Sequence, residues 1–309
     1  MQFTRRRVTD AGLLVLVNAM WAAQYPAYKT ATSVAGPVAV SLWTFLIAAL
    51  VLAPFYFWER RQSMQHTPRF EWRDFLLLAA LGLIPGSAVL AWGTELSTAS
   101  NAALLYLTLP VITAVMAVTL LGERMTLVRW GSLLLALLGV LIVSGPDWRH
   151  ANLHSMKFLG GNLIILLAIT GSGFYNVYSK RLLGRFTPLE VLVFGYLVAA
   201  GLCIPLVAGM EPSALGATRS YTAGVWVSLV VLSVLSWGLA MILWMYLLRR
   251  LDVSQASVSI YLLPLLGVLF SAVLLKERIT AAMIAGGLLT LAGTILITTA
   301  DTEGLEEGK

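Results

Sequence analysis

The residues best suited to chemistry in this sequence are polar and aromatic side chains that lie inside long apolar segments. Asn18, Trp21 and Tyr25 occur at i, i+3 and i+7, a spacing that places them on one face of a helix. Comparable positions in later segments are held by Tyr175, Asn176, Trp237 and Tyr261. Aromatic faces stack on rings and bind ammonium groups with about 0.5–2 kcal/mol. The pattern predicts non-covalent binding of a small neutral, zwitterionic or cationic molecule, with packing between helices as the alternative.

Two pairs of residues recur at one fixed distance along the chain. Asn101 and Gln255 are 154 residues apart, and so are Pro110 and Pro264. The first pair adds hydrogen-bonding side chains to the predicted binding residues. A proline within a helix removes a backbone hydrogen bond, so the second pair predicts either hinges or static kinks. Their repetition favours hinges.

Ionisable side chains lie almost entirely at the ends of the apolar segments. Lys29 and Lys180 are placed either to reach lipid headgroups or to contact an anionic group of a ligand at the mouth of a site. Glu95 and Glu190 are the candidates for a proton-coupling carboxylate, because such groups are costly inside a bilayer and usually serve function there. Glu123 is predicted to cap a turn, with a role in gating as the alternative.

The sequence contains no recognisable catalytic or metal-binding set. His66, His150 and His154 fall in predicted loops, and no cysteine or carboxylate completes a metal site around them. Cys203 is the single cysteine, which excludes a disulfide framework. HExxH and phosphate-binding glycine motifs are absent from the sequence. We therefore predict a protein without catalytic residues, bound metal or cofactor.

The composition indicates lipid as the solvent of this chain. Of its 309 residues, 59% are hydrophobic and only 12% are charged. A soluble domain carries about 25% charged residues, so the composition argues against a soluble globular enzyme. The net charge of +6 is typical of basic residues retained on the cytoplasmic side of a membrane, and it does not indicate binding of nucleic acid.

Apolar segments near the length that crosses a bilayer, about 20 residues, alternate with short polar or Gly/Pro-containing stretches. They predict ten transmembrane helices, named spans 1 to 10: 11–31, 37–58, 74–94, 98–121, 126–144, 158–180, 188–209, 223–247, 254–275 and 280–300. Spans 5 and 10 carry small residues, among them Gly139 and Gly293. Small residues permit close helix packing, so these two spans are predicted to be scaffold rather than walls of a binding site.

Basic residues are unequally distributed between the two sides of this arrangement. The two terminal tails, together with the ends of the even-numbered spans, the turns after them and the first residues of the next spans, hold 15 of the 21 Lys and Arg residues. Such an excess marks the cytoplasmic side of a membrane protein. We expect a multi-pass protein of the inner (plasma) membrane with both termini in the cytoplasm.

The two parts of the chain repeat each other. LGERMT at 121–126 matches LKERIT at 275–280, again 154 residues away. Each repeat has five spans, an odd number, so the second enters the membrane from the opposite side. The sequence therefore predicts an all-α integral membrane protein of ten transmembrane helices in two inverted-topology five-helix repeats. The first repeat is residues 1–147, the extracellular linker is 148–157, and the second repeat is 158–309 with a short cytoplasmic tail.

The segments SNAALLYLTLPVITAVMAVTLLGERMT and SQASVSIYLLPLLGVLFSAVLLKERIT resemble the EamA repeat of the drug/metabolite transporter superfamily. The resemblance covers essentially the whole chain and includes YddG-like amino-acid exporters. It implies a central cavity and a secondary transporter that moves small metabolites by alternating access, with export as the expected direction. An integral-membrane enzyme acting on a lipid or isoprenoid is the alternative. The expected partners are a small-molecule substrate and membrane lipid, without nucleic acid, and the choice between monomer and homodimer stays open.

Overall fold

The computed structural model describes residues 2–32, 34–62, 71–96, 105–144, 156–263, 266 and 281–299. The described residues are 89% helical and include no β-strand. Five of the described helices are long and apolar enough to cross a membrane: Pro37–Gln62, Trp72–Gly93, Gly160–Leu182, Pro188–Met210 and Ala223–Leu248. Shorter apolar helices accompany them at Thr9–Ala22, Leu109–Leu121, Leu127–Gly139 and Ile284–Gly293. The expected all-α membrane protein is therefore confirmed at this level.

The helix bounds lie within four residues of the predicted bounds in spans 2, 3, 5, 6, 7, 8 and 10. The α-helices are Gln2–Ala22 and Gln24–Thr32 in span 1, Pro37–Gln62 in span 2, Trp72–Leu78 and Leu90–Leu96 in span 3, Leu109–Leu121 in span 4, Leu127–Ser144 in span 5, Met156–Leu182 in span 6, Pro188–Met210 in span 7, Ala223–Val230 and Met241–Leu248 in span 8, Val253–Val258 in span 9, and Ala281–Thr299 in span 10. A short helix, Ala214–Ala217, lies between spans 7 and 8.

Span 7 shows how local sequence sets a helix boundary. The hydroxyl of Thr187 accepts a hydrogen bond from the backbone N–H of Glu190, whose carboxylate accepts one from the N–H of Thr187. Pro188 follows in the first turn, where its missing N–H costs no hydrogen bond. Glu190, a candidate for proton coupling, is thus buried in a capping box that fixes the helix start.

Spans 3 and 8 both change from α- to π-helical geometry in their middle part. The π segments are Ala79–Leu83 and Pro85–Val89 in span 3, and Val231–Ala240 in span 8. Pro85 provides a local reason in span 3, because it cannot donate to the preceding turn. Wide turns of this kind are rare and occur often at functional sites.

Spans 4 and 9 are discontinuous. The helix of span 4 begins at Leu109, after a turn at residues 107–108, and Pro110 lies in its first turn rather than in a helix interior. In span 9 the α-helix ends at Val258 and continues as a 3₁₀ turn over Ser259–Tyr261. Pro264, the repeat partner of Pro110, lies outside the described residues.

The helices pack in a small number of extensive pairs. Span 2 packs along span 7, span 5 along span 10, and span 3 against span 6. Span 8 contacts spans 1 and 2, and span 4 contacts spans 6 and 9. The main apolar core lies among spans 1, 2, 3, 6, 7 and 8, and a smaller apolar cluster lies among spans 4, 5 and 9. The binding residues considered below come mainly from the helices around the main core.

The contact of span 5 with span 10 brings two backbones together. A Cβ atom on Gly139 would lie 2.5 Å from the carbonyl oxygen of Gly286, and one on Gly293 would lie 2.7 Å from the carbonyl oxygen of Ser132. The hydroxyl of Thr290 donates to the Gly286 carbonyl at 2.9 Å within this contact. The predicted close packing of these two small-residue helices is therefore confirmed.

Candidate functional site

An uncharged aromatic cluster lies where span 1 meets spans 2, 7 and 8. The indole Nε1 of Trp237 donates to the hydroxyl of Tyr28 at 3.2 Å, and the hydroxyl of Tyr196 donates to the backbone carbonyl of Trp237 at 2.6 Å. The ring of Phe45 meets that of Trp237 edge to face, with centroids 5.1 Å apart. Trp237 and Tyr28 remain half-buried, so part of their surface is open to a ligand.

A second group of aromatic residues lies beside the first on spans 1, 6 and 8. The rings of Trp21 and Trp244 are tilted against each other with centroids 5.1 Å apart. The indole Nε1 of Trp244 donates to the side-chain carbonyl of Asn176 at 3.2 Å. This bond uses the acceptor of Asn176 for a neighbouring helix and fixes the amide beside the half-buried ring of Trp21.

Tyr175 extends the cluster toward span 3. Its backbone and Cβ lie against Gly82, where an added Cβ would be only 2.9 Å from the Cβ of Tyr175. The hydroxyl of Tyr175 is buried near those of Ser179 and Tyr196, without a hydrogen bond of normal geometry. A buried polar group without a partner is costly, so this enclosed hydroxyl would gain a partner if the site opened to a polar ligand.

The four predicted residues Trp21, Tyr175, Asn176 and Trp237 thus lie in the main core, on helices that contact one another. Gln255 lies elsewhere, because its side-chain carbonyl accepts from the backbone N–H of Asp252 at the start of span 9. Tyr261 is 1% exposed and lies in the smaller apolar cluster with spans 4 and 5. Asn101 and the side chain of Tyr25 lie outside what the structure describes.

Sequence reasoning missed three members of the aromatic cluster, namely Tyr28, Phe45 and Tyr196. Trp244 follows Trp237 at i+7, on the same predicted face of span 8. Tyr28 follows Trp21 at i+7, the same helical spacing that singled out Tyr25 relative to Asn18. That spacing was the available signal for Tyr28. Phe45 and Tyr196 lie in uniformly apolar segments, where no pattern distinguishes a residue near a site from one facing lipid.

The side chain of Lys180 binds backbone carbonyl groups and is not free at the mouth of a binding site. Its ammonium group donates to the carbonyl oxygens of Leu248 and Leu251 at the end of span 8. A cation at the C-terminus of a helix satisfies carbonyl groups that the helix itself cannot pair. Lys180 therefore joins spans 6 and 8. The side chains of Lys29 and Glu95 lie outside what the structure describes.

Arg185, in the turn between spans 6 and 7, forms ion pairs with the start of span 3. Its guanidinium lies 2.6 Å from the carboxylate of Glu71 and 3.3 Å from that of Asp74. Asp74 also accepts a hydrogen bond from the hydroxyl of Tyr178 at 2.7 Å. The hydrogen bond from Arg185 to Glu71, together with the charge of that carboxylate, raises the pKa of Arg185 above its ordinary value.

Arg129 forms the corresponding contact between spans 5 and 9. It is 6% exposed, and its guanidinium lies 2.5 Å from the carboxylate of Asp252. Glu123 accepts hydrogen bonds from the backbone N–H groups of Val253 and Ser254 at 2.7 and 3.1 Å. The sequence predicts that Glu123 caps the turn after span 4, but the carboxylate instead caps the start of span 9, which belongs to the other half of the chain.

Two further contacts join the ends of spans. Arg250 lies 3.5 Å from the buried carboxylate of Asp10. Elsewhere, Glu211 accepts from the backbone N–H groups of Val38 and Ala39, at 3.0 and 2.8 Å, where span 2 begins. Gly36 has no Cβ, which leaves room for that carboxylate, because an added Cβ would lie 2.1 Å from the Cδ of Glu211.

Known transporters are similar to this chain in sequence. The sequence profile of the EamA-like transporter family matches residues 11–145 and 159–299. A probable terminal-alkyne amino-acid exporter of Streptantibioticus cattleyicolor is 28% identical, over 92% of this chain and 91% of that protein. An uncharacterized transporter of Bacillus subtilis is 25% identical, over 92% of this chain and 95% of the relative.

A solved crystal structure has the same fold. It superimposes with a TM-score of 0.78 at 20% sequence identity, over 94% of this chain and 99% of the other. The family and these relatives give no support to the alternative of a lipid-modifying membrane enzyme. Because the profile matches nearly the whole chain in two segments, this protein belongs to the EamA-like transporter family.

Proposed function

We propose that this protein exports small neutral or zwitterionic molecules, amino acids among them, by alternating access, and that the aromatic cluster binds them. The observation that carries the proposal is the bond between Trp237 and Tyr28, because it unites the two halves of the chain within an uncharged aromatic surface. Sites of secondary transporters lie at the interface between repeats. Bound substrate would therefore be held by both halves at once.

The helix packing supports an arrangement of ten spans as two inverted repeats. If spans 1–5 are exchanged with spans 6–10, the contact of span 3 with span 6 becomes the contact of span 8 with span 1. The contacts of span 2 with 7, span 4 with 9 and span 5 with 10 are unchanged by this exchange. Two such halves can interchange their conformations, which is the physical basis of alternating access.

The chemistry of the cluster favours one class of substrate. Rings of Trp and Tyr stack with apolar or aromatic groups, and a Trp face attracts an ammonium group. The hydroxyl of Tyr175 offers a hydrogen bond to a polar group. The described members of the cluster include no arginine or lysine, whereas a polyphosphate requires several. The relative named as an amino-acid exporter agrees with this choice.

We propose that the protein lies in the inner (plasma) membrane with both termini in the cytoplasm. This orientation rests on the excess of basic residues on that side. A single cysteine at position 66, in a Cys203→Ala background, should react with an impermeant maleimide only from the cytoplasmic side. Reaction only from the outside would reverse the topology.

Transport by purified protein in liposomes tests the function. Vesicles loaded with individual amino acids should take up the same labelled compound by saturable counterflow. Trp21→Ala and Trp237→Ala should each raise the half-saturating concentration while the protein stays monodisperse. Trp58→Ala is the matched control, because the ring of Trp58 is 63% exposed at the end of span 2. Unchanged half-saturation in both test variants would place the binding site elsewhere.

A further inference from the structure

The ion pairs among the described residues join the two halves of the chain at one end of the helices. Arg185 pairs with Glu71 and Asp74, Arg129 with Asp252, and Arg250 with Asp10. In every one of these contacts, one partner precedes the linker 148–157 and the other follows it. All of these residues lie at the starts of odd-numbered spans or at the ends of even-numbered ones. In the proposed topology these positions lie on the same side of the membrane as the N-terminus, which we call the N-terminal face.

Additional contacts strengthen the same face. Glu123 from the first half binds the start of span 9 in the second, and Tyr178 from the second half donates to Asp74 in the first. Lys180 holds the end of span 8 beside them. Opening a path between the halves at this face requires the contacts of Glu123 and Tyr178 to break, whereas the contact of Lys180 lies within the second half.

The repeat allows the opposite face to be compared residue by residue. Pro37 and Pro54 recur as Pro188 and Pro205 at an offset of 151, Trp92 recurs as Trp244 at 152, and Pro110 recurs as Pro264 at 154. These anchors define which residue of one half corresponds to which residue of the other.

Six of the seven ion-pairing residues align with uncharged residues of the other half. By these offsets the pairs are Arg185 with Val34, Asp74 with Trp226, Glu71 with Ala223, Arg129 with Met283, Asp252 with Thr98, and Asp10 with Gly161. Other charged residues do recur, as Lys29 with Lys180 and Glu123 with Glu277. The ion-pairing residues therefore differ from these recurring charges in having no charged partner in the repeat.

We propose that Arg185, Glu71, Asp74, Arg129, Asp252, Arg250 and Asp10 form an ion-pair gate at the N-terminal face that has no counterpart at the other face, so that the empty carrier rests with this face closed. The inference rests on the proposed alternating-access function. When the halves exchange conformations, the counterparts of these ion-pairing residues that meet at the opposite face are uncharged, so no equivalent ion pairs replace them. The two closed states therefore differ in electrostatic free energy, and the one described here is favoured.

The size of the effect follows from the exposure of the pairs. The side chains of Arg185 and Glu71 are 45% and 52% exposed, so their pair is screened by water and salt. One exposed pair shifts an equilibrium by at most about fivefold. The Arg129–Asp252 pair is more enclosed on the arginine side, at 7% exposure, and should contribute more.

The test is the accessibility of a buried reporter behind the gate. Ser179→Cys in a Cys203→Ser background places a thiol at a position that is 0% exposed, next to Lys180. An impermeant maleimide applied to vesicles of known orientation should label it slowly from the N-terminal face. Arg185→Gln and Glu71→Gln should each raise that labelling rate by about two- to fivefold, and Asp252→Asn by more.

Two controls separate the gate from general loosening. Arg219→Gln removes an exposed positive charge between spans 7 and 8, and Glu211→Gln weakens a contact between halves outside the gate. Neither should raise labelling from the N-terminal face. Arg185→Glu combined with Glu71→Arg should return the labelling rate toward that of the parent, the Ser179→Cys reporter without gate substitutions. High salt should raise the rate in the parent and have less effect in Arg185→Gln.

The outcomes distinguish the gate from the transport proposal. Unchanged labelling in Arg185→Gln, Glu71→Gln and Asp252→Asn, with each variant monodisperse, would overturn the gate. Faster labelling only from the opposite face would also overturn it. The labelling does not require a substrate, so a gate response together with no counterflow of any amino acid would retain the gate and reject the proposed substrate class.

Discussion

The indole of Trp237 and the hydroxyl of Tyr28 are joined by a 3.2 Å hydrogen bond across 209 residues of sequence. The backbone carbonyl of Trp237 also accepts from Tyr196. Span 1 thus holds the indole and span 7 holds the backbone of Trp237, while the residue stays only half-buried. Positions fixed in this way can present a rigid aromatic face to a ligand, which reduces the entropy lost on binding.

The first prediction concerns this bond. Trp237→Phe and Tyr28→Phe should each raise the half-saturating substrate concentration by about two- to tenfold, since one hydrogen bond contributes roughly 0.5–1.5 kcal/mol. Both variants remove the same bond, so the double variant should cost less than the sum of the two. A double-mutant cycle in the counterflow assay measures this coupling. Strict additivity would show that the bond does not organise the site.

The second prediction concerns the start of span 2. Gly36→Ala should displace the Glu211 carboxylate, because the added Cβ would overlap it. The N–H groups of Val38 and Ala39 would then lose their acceptor, at a cost of about 1 kcal/mol. Glu211→Ala should reduce the free energy of unfolding by a similar amount, which lowers the melting temperature. The double variant should be no less stable than the worse single variant. A thermal-shift measurement in detergent showing additive losses would contradict this.

The third prediction compares two glycines of the same helix in span 5. Gly139→Ala should destabilise the protein by more than about 1 kcal/mol, because its Cβ would meet backbone atoms of span 10 that cannot move independently. Gly131 has nothing within 4 Å of the corresponding position. Gly131→Ala should therefore be neutral or stabilising by up to about 1 kcal/mol. Equal unfolding temperatures for the two variants would show that the helices do not pack this closely.

The fourth prediction concerns the proline pair. Pro110→Ala restores an N–H at the start of the span 4 helix and so favours a helix that continues through the turn at 107–108. We expect this variant, and Pro264→Ala, to slow counterflow while the half-saturating concentration changes by no more than a few-fold. The prolines would then govern switching rather than binding. Parallel losses of rate and affinity in both variants would argue against hinges.

The sequence alone determined where the helices are and that they belong in a membrane. Apolar segments of spanning length predicted the helix bounds closely, because burial in lipid requires continuous hydrophobicity and a backbone paired within each helix. The capping residues of span 7 and the small residues of spans 5 and 10 also act through local or short-range chemistry, which is readable from their order. The repeated LP and ER(M/I)T motifs carried the family resemblance in the same way.

Only the tertiary structure decided which polar residues share a site. Helical spacing defines a face relative to the axis of its own helix, but not which neighbour that face meets. Tyr261 has the helical spacing of a binding residue and Gln255 is the repeat partner of Asn101, yet Gln255 caps its own helix and Tyr261 packs with spans 4 and 5. The contact of Arg185 with Asp74 spans 111 residues and depends on how spans 3 and 6 pack, so no local pattern could reveal it.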